Sequence, residues 1–93
     1  MTSFSLPAVL THAQASATAQ ALVAAVQAQT SLTIDASALQ QFDSSALAVL
    51  LAGMREAAQR GGQLQVQGLP ERARSLAQVY GLSEVLQLPP VPA

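Results

Sequence analysis

No cysteine occurs in the chain, which excludes disulfides and thiolate metal sites. Lysine is absent too, so Arg55, Arg60, Arg72 and Arg74 carry all the positive charge. Four scattered arginines form no stripe able to neutralise a row of phosphates, so no nucleic-acid partner is expected. They are also too few to draw the chain onto an anionic lipid surface. Against them stand Asp35, Asp43, Glu56, Glu71 and Glu84, leaving a net charge of −1. Long hydrophobic runs are missing, and without about twenty consecutive apolar residues no membrane-spanning helix is expected. Met1 to Val9 lacks the basic flank of a secretory leader, and Pro7 interrupts its short apolar run, so the expected location is cytoplasmic.

Aromatics are nearly absent: Phe4, Phe42 and Tyr80 are all there is. The apolar half of the composition is mostly Ala, Leu and Val. Ninety-three residues fit one domain, and small side chains each bury little area, so its elements must pack closely.

Two periodicities alternate along the chain. Phe4 to Leu10 reads as one short strand at a sheet edge or strand end, because it carries Pro7. Ala13 to Gln29 contains neither Gly nor Pro, and Ala15, Ala19, Leu22 and Val26 recur at helical spacing. From Ser31 to Ala36, Leu32, Ile34 and Ala36 alternate with Thr33 and Asp35 as in a strand. A loop leads to a second helix from about Ser44 to Arg60, stopped by Gly61-Gly62. Gln63 to Gln67 alternates again, with Leu64 and Val66 inward. A third helix starts near Glu71, places Ala73, Leu76, Ala77 and Tyr80 on one face, and ends at Gly81. Leu82 to Leu88 is a short apolar section, and residues 89–93 form a Pro-rich tail outside a single domain of residues 1–88.

Strands separated by helices imply parallel pairing with right-handed crossovers. Strands covered on both faces would be apolar throughout, whereas these alternate with Gln, Thr and Asp. The expected fold is therefore a small α/β domain: a mostly parallel sheet with helices on one face and a polar opposite face.

Phe42-Asp43-Ser44-Ser45-Ala46-Leu47 holds the main functional signal. In the plainest reading, Asp43 or Ser44 caps the second helix by accepting its free backbone N–H groups. The helix that follows has no charged residue from Ser45 to Met54. Leu47, Leu50, Leu51 and Met54 make one apolar stripe that can face the sheet. Ala46, Val49, Gly53 and Ala57 make a second. A helix apolar on two sides is buried on two sides. Either the first helix covers the second stripe or another protein does. On the second alternative the candidate interaction residues are Asp43, Ser44, Ser45, Ala46, Val49 and Gly53.

Leu32-Thr33-Ile34-Asp35 followed by this helix start resembles the STAS domain family, in which a strand leads to a D-[ST]-x-[GA]-L turn opening a helix. Gly61-Gly62, the Leu64/Val66 strand and the third helix continue the likeness, over roughly Leu10 to Leu88. The resemblance implies a STAS-like fold and a non-catalytic protein-binding role without a cofactor. In the MlaB-like branch, such a domain is an accessory subunit of an ABC-type phospholipid transporter. It docks on the ATPase subunit through the helix-start surface, and so sits peripheral to the inner membrane. Leu76-Ala77-Gln78-Val79-Tyr80-Gly81-Leu82 is similar to the LA-x-x-YGL pattern of that branch. In anti-sigma-factor antagonists, the hydroxyl matching Ser44 is a phosphoacceptor for a partner kinase. Members usually begin with two strands, whereas Met1 to Leu10 has room for one. The missing strand would leave a sheet edge for a partner or a second copy of the chain.

No catalytic constellation is legible. His12 is the sole histidine, with no acid near it in sequence, and no cluster has metal-ligand spacing. Adjacency to Asp43 does not activate Ser44. Gly61-Gly62 follows a helix and so is no phosphate loop. Arg72, Arg74 and Glu71 read as a solvated face, with the two arginines at the rim of the interface as the alternative.

Overall fold

Pro7 decides the form of residues 3–10. The computed structural model describes residues 3–29, 31–86 and 88. In it the single expected strand is two, β1 (Ser3–Ser5) and β2 (Val9–Leu10), with Pro7 in the exposed link. Proline has no N–H for a ladder, so pairing breaks there and resumes beyond it. The break corrects the expectation of room for only one strand. The chain continues as α1 (His12–Ala28), β3 (Leu32–Asp35), β4 (Gln41–Phe42), α2 (Ser44–Gln59), β5 (Leu64–Gln67) and α3 (Glu71–Val79).

All pairings among the described residues are parallel. A three-stranded sheet runs β1-β3-β5, and a two-stranded one joins β2 to β4. The register sets Phe4, Ile34 and Val66 in one row and Leu32 beside Leu64. Since side chains alternate, these five share a face. Leu32, Ile34 and Leu64 are buried there, and Phe4 and Val66 pack against them. The opposite face carries Ser3, Thr33 and Gln65 in one row and Ser5, Asp35 and Gln67 in the next. Ser3, Ser5, Gln65 and Gln67 are exposed, as a face without a covering layer requires. Thr33 is 8 % exposed, on the central strand with Ser3 and Gln65 flanking it in its row.

Helix α1 begins where Gln14 reaches back. Its Oε1 accepts the Thr11 N–H at 3.0 Å and the Thr11 hydroxyl at 2.7 Å. Leu22 and Val26 are its buried residues, each contributing roughly 1.5–3 kcal/mol. Ala13, Ala17, Ala21 and Ala24 look outward. Helix α2 lies against α1 and β5.

Two helices stop in the same way. Past the cap residue of α2, Gly61 (φ 73°) donates to the Ala58 carbonyl and Gly62 to that of Ala57. Past α3, Gly81 (φ 72°) donates to Gln78 and Leu82 to Ala77. Each needs a residue that tolerates the left-handed region, which is glycine's role. Much of the LA-x-x-YGL pattern is thereby a helix stop: Ala77 is buried, Gly81 turns, and Leu82 packs on the core. The chain then folds back through Leu86, which is fully buried and donates its N–H to the Leu82 carbonyl at 2.9 Å. The expected tail, 89–93, lies outside the described residues.

Candidate protein-interaction site

Strand β4 delivers Asp43 to the start of α2 in an extended conformation (φ −131°, ψ −167°). From there its carboxylate serves two helices. Oδ1 accepts the Ser45 N–H at 2.8 Å, and Oδ2 accepts the His12 N–H at the start of α1, at 3.2 Å. The Ser45 N–H does most to hold this carboxyl below its ordinary range; the slight burial opposes it, and the His12 N–H and imidazole reinforce it. Asp43 is thus an ionised cap, in keeping with the plainest reading of the sequence. Ser44 follows as the first residue of α2 and is exposed, with Ser45 half-buried beside it.

The rest of the expected interface lies indoors. Ala46 (2 % exposed), Val49 and Gly53 are buried. At Gly53 a Cβ would stand 2.5 Å from Leu22 Cδ2 of α1 and 3.1 Å from Leu64 Cδ1 of β5. Glycine lets the two helices and the sheet meet at that point. The second stripe therefore has an internal partner, α1, which corrects the expectation that Ala46, Val49 and Gly53 present a surface. Outward on α2 stand Ser44, Ala48 and Arg55, with Ala52 half-buried between them.

Beside the helix start lies an open groove of about 480 Å³, lined by Phe42, Glu71, Arg72, Ser75, Leu76 and Val79. The Arg72 guanidinium sits 5.3 Å from the centre of the half-buried Phe42 ring, within cation–π range. Val79 is 82 % exposed and Tyr80 57 %. Tyr80, read on one face with Ala73, Leu76 and Ala77, is thus exposed where Ala73 and Ala77 are buried. It is the residue at which α3 ends, and after it Gly81 swings the chain so that Leu82 and Leu86 turn to the core instead. Arg72, Leu76 and Val79 recur at i, i+4 and i+7, a stripe the sequence reading passed over. Arg74 also departs from the solvated face assigned to it: it is half-buried, its Nε enclosed without a hydrogen-bond partner.

His12 stands next to an acid after all, since the first turns of α1 and α2 converge on Asp43. The bond uses the His12 backbone and not the imidazole, so Asp43 does not orient a histidine base toward Ser44 as acyl transfer would need. Asp35 is occupied separately, accepting the Ser37 hydroxyl at 2.6 Å and the Ser37 N–H at 3.0 Å. Those bonds, the hydroxyl's foremost, lower its pKa. Among the described residues no group of three or more His, Asp or Glu side chains is placed to hold a metal ion. No helix among them is long and apolar enough to cross a membrane.

No curated protein matches the chain. A family model described as Mlab, STAS domain matches residues 3–89.

Proposed function

The chain belongs to the MlaB-like STAS domain family, and from that premise we propose that it is a non-catalytic accessory subunit docking on the ATPase of an ABC-type phospholipid transport system. One observation carries the reading: Ser44 offers an exposed hydroxyl at the first residue of a largely buried apolar helix, on a chain position pinned by Asp43. The contact surface in this reading is Asp43, Ser44 and Ser45, continued along α2 by Ala48 and Ala52. Small side chains there allow a partner helix to approach closely. Phe42, Arg72 and Val79 supply the larger contact area beside them, an aromatic, arginine and apolar mixture of the kind that fills interface cores. Tyr80 fits as an anchor, because the helix stop explains Gly81 and Leu82 but not an exposed tyrosine. The protein then works in the cytoplasm, held at the inner membrane through its complex.

Co-purification from cells of the source organism tests the reading. The wild-type chain and Ser44→Ala are expected to retain an ABC ATPase subunit, and Ser44→Asp to lose it. Equal retention by all three would move the contact away from the helix start. A chain that retains no ATPase would remove the transporter reading.

The same exposed hydroxyl favours a second reading, an anti-sigma-factor antagonist with Ser44 as phosphoacceptor. A phosphate there would meet the positive end of the α2 dipole. It would also add about −1.5 to −2 charges beside Asp43 and expel a docked partner. Incubation with an anti-sigma-factor kinase and ATP would then add one phosphate to the wild type and none to Ser44→Ala.

A further inference from the structure

Among the described residues strand β5 is an edge, and its outer side is self-complementary. Leu32 donates to the Gln63 carbonyl and Ala36 to that of Gln67, so Gln63, Gln65 and Gln67 turn their backbone groups toward β3. Leu64 and Val66 consequently point theirs outward, and among the described residues no hydrogen bond from another segment meets them. Edge strands of native sheets are usually protected by lysine, proline, a bulge or a covering segment. Gln63-Leu64-Gln65-Val66-Gln67 has no charge and no proline.

We propose that a second copy of this chain pairs antiparallel with β5 about a two-fold axis at Gln65. The segment reads the same in both directions, amide and apolar by turns. Centring on Gln65 sets Leu64 opposite Val66 of the other copy, and Gln63 opposite Gln67. The outward groups of Leu64 and Val66 then exchange four backbone hydrogen bonds, two in each residue pair. Gln65 meets its own symmetry mate in the closer, non-hydrogen-bonded position, where the two side chains touch on the polar face. A two-fold axis perpendicular to the sheet keeps like faces together. The apolar row that ends at half-buried Val66 would continue into the other copy, beside the open groove of Leu51, Met54, Leu64 and half-exposed Val85.

The nearest charged residues flanking the strand are Arg60, already engaged by Glu56 at 2.7 Å, and Glu71, so the paired segment itself sets no charge against its mate. The product is a six-stranded sheet with its helices on one side. Its paired residues, 63–67, include none of those assigned to the docking surface, and it does not depend on the function proposed for that surface.

Sedimentation equilibrium of the purified chain from micromolar to millimolar concentration tests the inference. The wild type should approach twice its 9.6 kDa mass. Gln65→Lys, at an exposed position, should weaken the dimer about fivefold by setting like charges face to face, as should Gln65→Glu. An equimolar mixture of the two variants should recover a heterodimer at least as tight as the wild type, an effect that altered folding alone does not produce. Val66→Pro should leave the chain folded and monomeric, because it removes an outward N–H. A wild type that stays at 9.6 kDa throughout, or a dimer indifferent to charge at Gln65, would overturn the proposal.

Discussion

The Asp43 carboxylate holds the backbone N–H of His12 across 31 residues of sequence, while its other oxygen caps α2 through Ser45. One side chain therefore fixes the relative position of two helix starts. A displaced Asp43 loosens both.

Replacing Asp43 separates these roles. Asp43→Ala removes both acceptors and should lower the melting temperature by about 4–8 °C. Asp43→Asn keeps one carbonyl oxygen able to cap Ser45 but offers the His12 N–H no second acceptor, so its loss should be smaller. Thermal unfolding followed by circular dichroism ranks the three proteins. An alanine variant as stable as the wild type would mean that the carboxylate ties nothing together.

Acid should expose the same contact. Asp43 and Asp35 are both held below the ordinary 3.8 of a carboxyl. A group lowered on folding adds stability that is fully present above its unfolded value and is lost as pH falls through its folded value. The urea midpoint should be level from pH 7 to about 5 and decline once the pH drops below about 4. Asp43→Asn should flatten part of that decline. An identical decline in both proteins would assign it to other groups.

At Gly53, space decides the outcome. Gly53→Ala puts a methyl group against Leu22 and Leu64, and should cost about 1–3 kcal/mol in urea unfolding. Leu22→Ala alone should cost about 2–5 kcal/mol through the cavity it leaves. Combined, the two should cost clearly less than their sum, because each relieves the other. Additive losses would show that the α1–α2 contact relaxes freely.

Ser44→Asp is expected to dissociate docking from folding. A carboxylate at the first residue of α2 is favourable to the helix dipole, so the melting temperature should stay within about 3 °C of wild type. Retention of the ATPase should nonetheless be lost. If the variant instead melted early, its failure to dock would say nothing about the interface, and Ala48→Glu, outward on the same face, would serve in its place.

What the sequence made legible follows the reach of each interaction. Helices α1, α2 and α3 and strands β3 and β5 announce themselves through local periodicity and glycine stops, and their observed bounds lie within two residues of those read. Strand β4 escapes because Gln41 and Phe42 are too few to alternate, and their pairing with Val9 and Leu10 is non-local. The double apolar surface of α2 signalled burial on two sides, but the identity of the second cover depended on tertiary packing. Gly53, a lone glycine inside an apolar helix, was the available hint of a close helix crossing. The Asp43–His12 bond leaves no trace in sequence, since its donor is a backbone group that any residue but proline would supply. Of the candidate site, Asp43 as cap could be read directly; the groove beside it joins β4 to α3 and emerged only with the fold.

The outward face of α1 turns the absence of cysteine into a practical asset. Ala13→Cys or Ala24→Cys would each install the chain's sole thiol at an exposed position free of core contacts. Those positions are eleven residues apart on one helix, about 16 Å by the rise of 1.5 Å per residue. A dye at Ala13 rides beside the helix starts, whereas one at Ala24 rides far from them. Quenching of the first without the second would locate a bound protein at the Asp43 end, so α1 serves as a molecular ruler for whatever approaches the domain.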